Sequence, residues 1–193
     1  MRRGEPNTVR IIGGRWRSRI VSFARVEGVR PTPDRVRETL FNWLGQDLSG
    51  RNCLDLFAGS GALGFEASSR GAASVVMVDR NPAVVRSLRE NARRLGAQDV
   101  RLVQGDALEF LGGERLRFDV IFVDPPYRSD LGTRTLPLLP AVLSAEGRVY
   151  LESSAALQPA PGWVIVRKGH AGQVHFHLLA RESDDKGGVS GNV

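Results

Sequence analysis

A short motif near the middle of the chain has the residue types needed to hold an amino group. The apolar run FDVIFV, which predicts a buried strand, is followed directly by Asp124, Pro125, Pro126 and Tyr127. Neither proline has an N–H to donate, so two prolines after a buried strand indicate a rigid loop. The Asp124 carboxylate and the Pro125 carbonyl are then two fixed acceptors for the two N–H donors of an exocyclic amine. The Tyr127 ring is placed to stack on the base that carries that amine.

A glycine-rich loop precedes this motif in the chain. The sequence DLFAGSGALG occupies residues 55–64, and its glycines match the spacing G-x-G-x-x-G. Such glycines let the backbone turn sharply after a strand and approach a ligand closely. The spacing fits NAD as well as S-adenosylmethionine, and a tight turn without a ligand is a further interpretation. Asp55 favours S-adenosylmethionine, because its carboxylate would repel a pyrophosphate and attract an amino-acid ammonium group.

Two more acidic residues follow predicted strands. Asp79 closes the run SVVMVD about 20 residues after the glycines, where an acid is placed to bind both ribose hydroxyls of an adenosine. Asp106 follows the next apolar run, and its carboxylate is placed to accept from an adenine amine while the Ala107 backbone contacts the ring. Taken alone, Asp106 is equally well explained as the N-cap of a helix.

The surrounding elements alternate between strand and helix from residue 51 onward. Short apolar runs alternate with helical patterns, which predicts a parallel sheet covered on both faces, in a doubly wound Rossmann-like α/β domain. The last two runs, WVIVRK and QVHFHLLARE, predict a terminal antiparallel hairpin. Thr32 is the predicted N-cap of a helix with Pro33 at its first position, and Asn81 is the predicted N-cap of a second helix that ends at Gly96. The segment 131–143 is broken by prolines.

The net charge is concentrated at one end of the chain. The protein has 27 Lys and Arg against 21 Asp and Glu, a formal charge of +6. Residues 1–30 contain eight arginines and two glutamates, which accounts for all of it. Two short strands around Gly13 and Gly14 predict a basic β-hairpin extension, in which the second strand carries Arg15, Arg17 and Arg19 on one face. With Arg10, these side chains are predicted to bind a polyanion. Two alternative roles for these arginines are solubility and the protection of an edge strand from aggregation.

The length and composition of the chain limit its domain organisation and its cellular location. We divide the 193 residues into a basic arm and hairpin at 1–30, a main domain at 31–182 and a disordered tail at 183–193. The sequence has no run of 18 apolar residues and no apolar signal-peptide segment, so neither a membrane span nor secretion is expected. A single cysteine, Cys53, and the absence of zinc-type Cys/His spacing favour a reducing cytoplasm and no metal.

The order of the motifs, glycine loop first and D-P-P-Y later, resembles that of the class I S-adenosylmethionine-dependent amino-methyltransferases. Four stretches in combination are similar to the bacterial 16S ribosomal RNA guanine-N2 methyltransferases: RIIGGRWRSR (10–19), RPTPDRVRETLFNWL (30–44), CLDLFAGSGALGFEASSRGA (53–72) and FDVIFVDPPY (118–127). The resemblance extends from about residue 8 to Glu182. It implies S-adenosylmethionine as cofactor and direct methyl transfer to guanine N2 of small-subunit rRNA, within an assembling subunit.

The resemblance also implies roles for individual residues. Asp55 and the loop at 59–61 would hold the methionine part of the cofactor, and the residues from Asp124 to Tyr127 the target guanine. The segment at 32–38 resembles a motif that closes over the methionine end. The cofactor site implied in this way comprises Thr32, Arg37, Asp55, Phe57, Gly59, Ser60, Gly61, Asp79 (ribose), Arg80, Asp106 and Ala107 (adenine). Ser129, Asp130 and the segment 131–143 depart from the family pattern at the substrate-facing lip.

Three alternatives remain open on the sequence. An adenine-N6 methyltransferase acting on DNA or RNA would use the same acceptors, although 193 residues leave no room for a separate DNA-recognition domain. An NAD-dependent oxidoreductase would explain the glycine loop but neither the proline motif nor the arginines. A non-catalytic RNA-binding protein would not need all three acids at the strand ends. We expect a monomer.

Overall fold

The computed structural model describes residues 7–26, 31–126, 129–158 and 160–182. Tyr127 and the tail at 183–193, which was predicted to be disordered, lie outside these ranges. Across the described ranges, none of the helices has the length and apolar character needed to cross a membrane.

A seven-stranded sheet forms the centre of the protein, in the order β5-β4-β3-β6-β7-β9-β8. Its strands are β3 (Asn52–Asp55), β4 (Ser74–Asp79), β5 (Val100–Gln104), β6 (Phe118–Val123), β7 (Leu143–Ser153), β8 (Trp163–Ala171) and β9 (Val174–Arg181). The first five are parallel, whereas β9 runs antiparallel to both β7 and β8. The strand order reverses between β3 and β6, which is where doubly wound sheets bind ligands. The predicted fold class is confirmed.

Helices cover both faces of the sheet. They are α1 (Asp34–Leu44), α2 (Ala62–Ser69), α3 (Pro82–Leu95), α4 (Ala107–Gly113) and α5 (Leu131–Thr135), with a short 3-10 helix at Leu139–Ala141. The first three pack in one apolar core with the N-terminal hairpin, and α4 packs in a second core on the other face. The prediction for α3 is confirmed, because the Asn81 side chain accepts from the Ala83 N–H at 2.8 Å and the helix ends at Gly96.

The start of α1 differs from the prediction. The residue preceding the helix is Pro33, and no side chain caps its first turn, so Thr32 is not the N-cap. The Thr32 hydroxyl points instead toward Asp124, with its oxygen 3.4 Å from Oδ2 of that carboxylate. The sequence rule failed because a tertiary partner competes for the hydroxyl that would otherwise cap the helix.

The N-terminal hairpin is present, but its arginines are arranged differently. The strands β1 (Asn7–Arg10) and β2 (Ile20–Phe23) pair antiparallel, and a loop with a 3-10 helix at Gly14–Trp16 joins them. The prediction of a tight turn followed by a strand carrying Arg15, Arg17 and Arg19 was therefore wrong. The loop folds over the end of α2, because Trp16 is buried and a Cβ on Gly14 would lie 1.9 Å from the Ser69 carbonyl oxygen.

The hairpin is anchored to the main domain by buried and polar contacts. Val9, Val21 and Phe23 are buried in the same core as α1, α2 and α3. On α3, the Asn91 side chain donates to the Ser22 carbonyl at 2.6 Å and accepts from the Ser22 N–H at 3.2 Å. This pair of hydrogen bonds joins β2 to the helix that borders the ligand-binding edge of the sheet.

Candidate active site

A cleft of about 1100 Å³ lies at the carboxyl edge of the parallel strands. Five adjacent strands each bring an acidic residue to its wall, at or directly after the end of the strand. In spatial order these are Asp106, Asp79, Asp55, Asp124 and Glu152. Because parallel strands share one direction, acids separated by up to about a hundred residues in the chain meet in one row. The row defines the candidate active site.

The glycine loop after β3 shapes the middle of this cleft. Gly59 and Ser60 line it, whereas Gly61 lies behind them with a φ of +78°. A Cβ on Gly61 would also lie 2.6 Å from a Leu88 methyl carbon, so both the backbone and the space require glycine. Phe57 also lines the cleft, as the sequence predicted.

Asp55 is buried at the end of β3, beneath the glycine loop. Its Oδ2 accepts a hydrogen bond from the Gly64 N–H at 2.9 Å. Burial raises the pKa of Asp55 to about 7, the Gly64 N–H opposes that shift and the charge of Asp79 adds to it. A cationic partner would stabilise the ionised form of this buried carboxyl, because the cation replaces the hydration that burial removed.

Asp79, at the end of β4, and Asp106, after β5, both line the cleft and both accept hydrogen bonds from backbone N–H groups. Asp79 accepts from the Gly59 N–H at 3.0 Å through one oxygen and from the Asn81 N–H at 2.8 Å through the other. Asp106 caps α4, accepting from the Leu108 N–H at 2.8 Å. The N-cap interpretation of Asp106 is therefore right. Asp106, Ala107 and Arg80 also line the cleft.

The proline motif closes the cleft on the β6 side. Asp124, Pro125 and Pro126 line it. Burial raises the pKa of Asp124 well above its usual value, and the negative charges of Glu152 and Asp55 raise it further. The Thr32 hydroxyl opposes these effects.

Glu152 is the functional candidate that the sequence analysis missed. It is 9% exposed, lines the cleft and follows Leu151, which pairs in register with Val123 beside Asp124. The Tyr150 hydroxyl donates to Glu152 Oε1 at 2.7 Å. Its signal was present in the run RVYLES, in which Glu152 directly follows the apolar residues, as the acids at the ends of β3 and β4 do. That signal was overlooked because no glycine or proline marks it.

Arg37 does not reach the cleft, although the family resemblance implied a cofactor contact. Its side chain is completely buried. The guanidinium donates to the Thr32 carbonyl at 3.1 Å, to Glu66 at 3.1 Å, to Asp34 at 2.6 Å and to the Arg10 carbonyl at 2.8 Å. Arg37 therefore supports Thr32 from behind, and Thr32 alone of the two lines the cleft.

The four hairpin arginines are all exposed, but three of them also contact other residues of the protein. Arg15 forms an ion pair with Asp99 at 2.5 Å, and Arg10 approaches Asp34 at 3.6 Å. Arg19 donates to the Arg94 carbonyl on α3 at 3.2 Å. The contact between Arg19 and Arg94 joins the hairpin to α3, which has four exposed arginines of its own. We call the hairpin and helix arginines together the arginine surface: Arg10, Arg15, Arg17, Arg19, Arg86, Arg89, Arg93 and Arg94.

The row of acids fits the chemistry of S-adenosylmethionine. That molecule presents an ammonium group, two ribose hydroxyls and an adenine amine, and each of these can donate a hydrogen bond to a carboxylate. Asp55, Asp79 and Asp106 lie on three neighbouring strands in the order that an extended amino-acid nucleoside requires. The desolvated Asp55 carboxyl matches the ammonium end, and the cleft is large enough to admit a base beside the cofactor.

The sheet order and the acidic cleft at its switch point are those of a Rossmann-like methyltransferase. The family model described as Conserved hypothetical protein 95 matches residues 9–180. The chain is 43% identical over 180 residues to the Escherichia coli K12 protein named ribosomal RNA small subunit methyltransferase D, with 91% of each chain covered. It is 36% identical over 178 residues to the Haemophilus influenzae protein of the same name, covering 88% of this chain and 92% of that one.

A solved structure described as a putative methyltransferase from Escherichia coli has a TM-score of 0.83 and 42% identity to this chain. The match covers 92% of this chain and 100% of the solved chain. The chain therefore belongs to the family of bacterial small-subunit ribosomal RNA methyltransferases, as the resemblance indicated.

Proposed function

We propose that this protein transfers a methyl group from S-adenosylmethionine to the exocyclic N2 of a guanine in small-subunit rRNA. The observation that carries the proposal is the position of Asp124 and Pro125, which line the same cleft as the acids suited to the cofactor. The names of the relatives support rRNA as the substrate. The assembling small subunit is the setting we infer, with the protein acting as a monomer in the cytoplasm.

In this proposal the cofactor is held by residues from three strand ends and from the segment before α1. The Asp55 carboxylate receives the ammonium group, and the loop at 59–61 packs against the methionine part. Asp79 accepts from the ribose hydroxyls, and Asp106 with Ala107 contacts the adenine. Phe57, Ser60 and Arg80 complete the walls, and Thr32 closes the methionine end. When bound, the cofactor supplies an electrophilic methyl group.

The proline motif orients the nucleophile. Guanine N2 is a weak nucleophile, since its lone pair is delocalised into the ring. The Asp124 carboxyl and the Pro125 carbonyl accept its two N–H groups, which directs the lone pair at the methyl and offsets the positive charge that develops on nitrogen. Pro126 keeps the loop rigid, and the base must be unpaired or extruded to enter. Stacking of Tyr127 on the base stays a prediction from the sequence, because this residue lies outside the described ranges.

The displacement is direct and needs no covalent enzyme intermediate. Cys53 is buried inside β3, and burial raises the pKa of its thiol to about 12, which keeps it protonated. The described part of the cleft presents hydrogen-bond acceptors that can bind the cofactor and orient the amine. Direct methyl transfer requires this binding and orientation of the two reactants.

The exposed arginine surface is the inferred contact for rRNA. Arg19 contacts α3, whose first turn borders the cleft through Asn81 and Val84, and the same hairpin carries Arg10, Arg15 and Arg17. Phosphates bound along this surface would lead the RNA strand toward the mouth of the cleft. Arg15 is ion-paired with Asp99, the residue before β5, so it lies at the amino edge of the sheet, at the end of this surface that is far from the cleft.

The test is transfer of labelled methyl from S-adenosylmethionine to purified rRNA, to small subunits and to duplex DNA, followed by nucleoside analysis. We expect N2-methylguanosine in small-subunit rRNA, and none with Asp124→Ala. Asp47→Ala is the matched control, because Asp47 is an exposed acid in the loop before β3, at the opposite edge of the sheet. Label found in N6-methyladenine would show that the target base is adenine and not guanine. A lack of transfer to rRNA, small subunits and duplex DNA alike would contradict the proposed function.

A further inference from the structure

Glu152 is a buried acid in the candidate active site that the proposed reaction does not yet use. Its carboxyl lies beside that of Asp124, because β6 and β7 are parallel neighbours with Val123 opposite Leu151. Both acids line the cleft, and the negative charge of Glu152 raises the pKa of Asp124. Two buried carboxyls at neighbouring positions do not both ionise, so the pair carries one proton and one negative charge.

The groups around Glu152 favour its ionised form over that of Asp124. The Tyr150 hydroxyl donates to Glu152 at 2.7 Å, and the Thr32 hydroxyl is shared with the pair. Burial raises the pKa of both acids, and the hydrogen bonds from its neighbours lower that of Glu152. Asp124 lies additionally near the charge of Asp55. In the resting pair the shared proton therefore resides on Asp124, and Glu152 carries the negative charge.

The residues of β9 that adjoin Glu152 do not change the charge of the pair formed by Asp124 and Glu152. On the adjoining strand β9, the residue opposite Glu152 is the apolar Phe176. His175 and His177 flank Phe176, and side chains alternate along a strand, so both imidazoles belong to the other face of the sheet. Phe176 packs against Tyr150, with ring centroids 6.4 Å apart, which fixes the ring whose hydroxyl holds Glu152.

We propose that Glu152 is the proton-holding partner of Asp124 in the methyl transfer, so that the two carboxyls act as one unit. This inference rests on the proposed function. As the N–CH₃ bond forms and the S–CH₃ bond breaks, the shared proton moves from Asp124 to Glu152. The Asp124 carboxylate then faces the cationic amine and takes one of its N–H protons.

The step balances in charge and protons. The pair begins with one proton and a charge of −1, and the amine becomes an ammonium of charge +1 when it receives the methyl group. After the proton is transferred, the pair holds two protons and the product is a neutral secondary amine. Water removes the extra proton when the product leaves. Asp124 alone would begin the reaction protonated in a buried site, and it would need another acceptor for that proton.

The experiment measures single-turnover methylation of small-subunit rRNA across pH 5.5–9 for four proteins. These are the unchanged chain, Glu152→Gln, Tyr150→Phe and the double variant. Glu146→Gln is the matched control, because Glu146 is an exposed acid near the start of the same strand. Binding of S-adenosylhomocysteine and thermal unfolding are recorded for each protein, to separate loss of chemistry from loss of the folded cleft.

We expect Glu152→Gln to lower the transfer rate about 100-fold, a typical contribution of acid–base catalysis, with cofactor affinity within about twofold of the unchanged chain. Tyr150→Phe removes a donor to the Glu152 carboxylate, so the acid limb of the rate profile moves to higher pH. In the double variant this displacement disappears, because the group that titrates is gone. A purely structural role for Glu152 would not produce that dependence.

Two results would overturn the inference. One is a transfer rate for Glu152→Gln within about threefold of the unchanged chain. The other is a displacement by Tyr150→Phe that is absent, or that is equal with and without Glu152. If Glu152→Gln does not fold, the pH profile of Tyr150→Phe decides alone. Failure of the proposed function is distinguishable, since it appears as a different methylated base or as no transfer by the unchanged chain.

Discussion

The buried guanidinium of Arg37 donates from Nε to the main-chain carbonyl of Thr32 at 3.1 Å. The same side chain is ion-paired with Glu66, whose two carboxylate oxygens also accept from the Ile12 and Gly13 N–H groups of the hairpin loop. One buried arginine therefore links the loop of the basic hairpin to the residue whose hydroxyl approaches Asp124. This link makes the position of Thr32 depend on the packing of the N-terminal segment.

Replacing Arg37 tests how much this buried network stabilises the fold. Arg37→Met leaves Glu66 buried with Arg70 as its remaining ion-pair partner and the Thr32 carbonyl without its donor. Breaking a buried ion pair costs about 3–5 kcal/mol, so we expect the free energy of unfolding in urea to fall by about 3 kcal/mol. Arg35→Met, at an exposed position on α1, should change it by less than about 0.5 kcal/mol. Equal effects of the two substitutions would show that the buried network does not stabilise the fold.

Asp55 makes stability and ligand affinity depend on pH in opposite directions. Its pKa is about 7 in the folded protein and near 4 in the unfolded chain, so the folded state binds the extra proton between these values. The contribution of this group to stability is therefore greatest below pH 4 and is lost as the pH rises through 7. The full loss corresponds to about 4 kcal/mol, from about 1.4 kcal/mol per pKa unit.

Asp55→Asn separates the two effects. We expect the variant to be more stable than the unchanged chain at pH 8, with the difference shrinking toward pH 4, in chemical unfolding. Its affinity for S-adenosylhomocysteine should be weak and independent of pH. For the unchanged chain that affinity should rise up to about pH 7, since the ammonium group binds the ionised carboxylate. Calorimetry that finds a flat affinity in the unchanged chain would remove Asp55 from the ammonium site.

Two glycines with the same backbone conformation provide a matched pair. Gly61 and Gly96 have φ values of +78° and +68°, but a Cβ on Gly61 would collide with Leu88 and Phe65, while a Cβ on Gly96 meets nothing within 4 Å. Gly61→Ala should therefore be less stable than Gly96→Ala by about 1–3 kcal/mol, the usual cost of overpacking. Urea unfolding of the two variants measures this difference. Equal stabilities would mean that α2 can shift to accommodate the added methyl group.

The arginine surface predicts a particular salt dependence of RNA binding. Replacing Arg10, Arg15, Arg17 and Arg19 by alanine should weaken rRNA affinity and reduce the slope of log affinity against log salt by up to about 3, from about 0.7–0.9 per phosphate contact. Affinity for S-adenosylhomocysteine should be nearly unchanged. The control replaces Arg115, Arg167 and Arg181, which are exposed elsewhere on the molecule. An unchanged slope in the hairpin variant would exclude these side chains from the RNA interface.

The sequence predicted well what depends on local pattern. The apolar runs located the parallel strands, and the acids at their ends fell into one row because parallel strands share a carboxyl edge. Asn81 and Gly96 bounded α3 as expected, since a cap and a left-handed stop are local features. Of the predicted cofactor residues that the structure describes, only Arg37 and Gly61 do not line the cleft, and Gly61 shapes the turn behind it.

The features that the sequence did not predict depend on tertiary contacts. The loop at 11–19 is not a tight turn, because Trp16 is buried against α2 and the Ser69 hydroxyl accepts from its N–H at 2.9 Å. Arg37 looked like a ligand contact, but its polar partners come from other parts of the chain. Glu152 was missed because its significance lies in its neighbour across the sheet, which strand order rather than spacing determines.

In the proposed reaction, Asp124 orients the amine that receives the methyl group. The most direct measurement is the single-turnover rate of methyl transfer to small-subunit rRNA by Asp124→Ala, at saturating S-adenosylmethionine, beside Asp47→Ala. We expect a rate at least about 10³-fold below that of the unchanged chain, with S-adenosylhomocysteine affinity within about threefold, because removing such an oriented acceptor costs about 4 kcal/mol in the transition state. A rate within tenfold of the unchanged chain would contradict this role of Asp124.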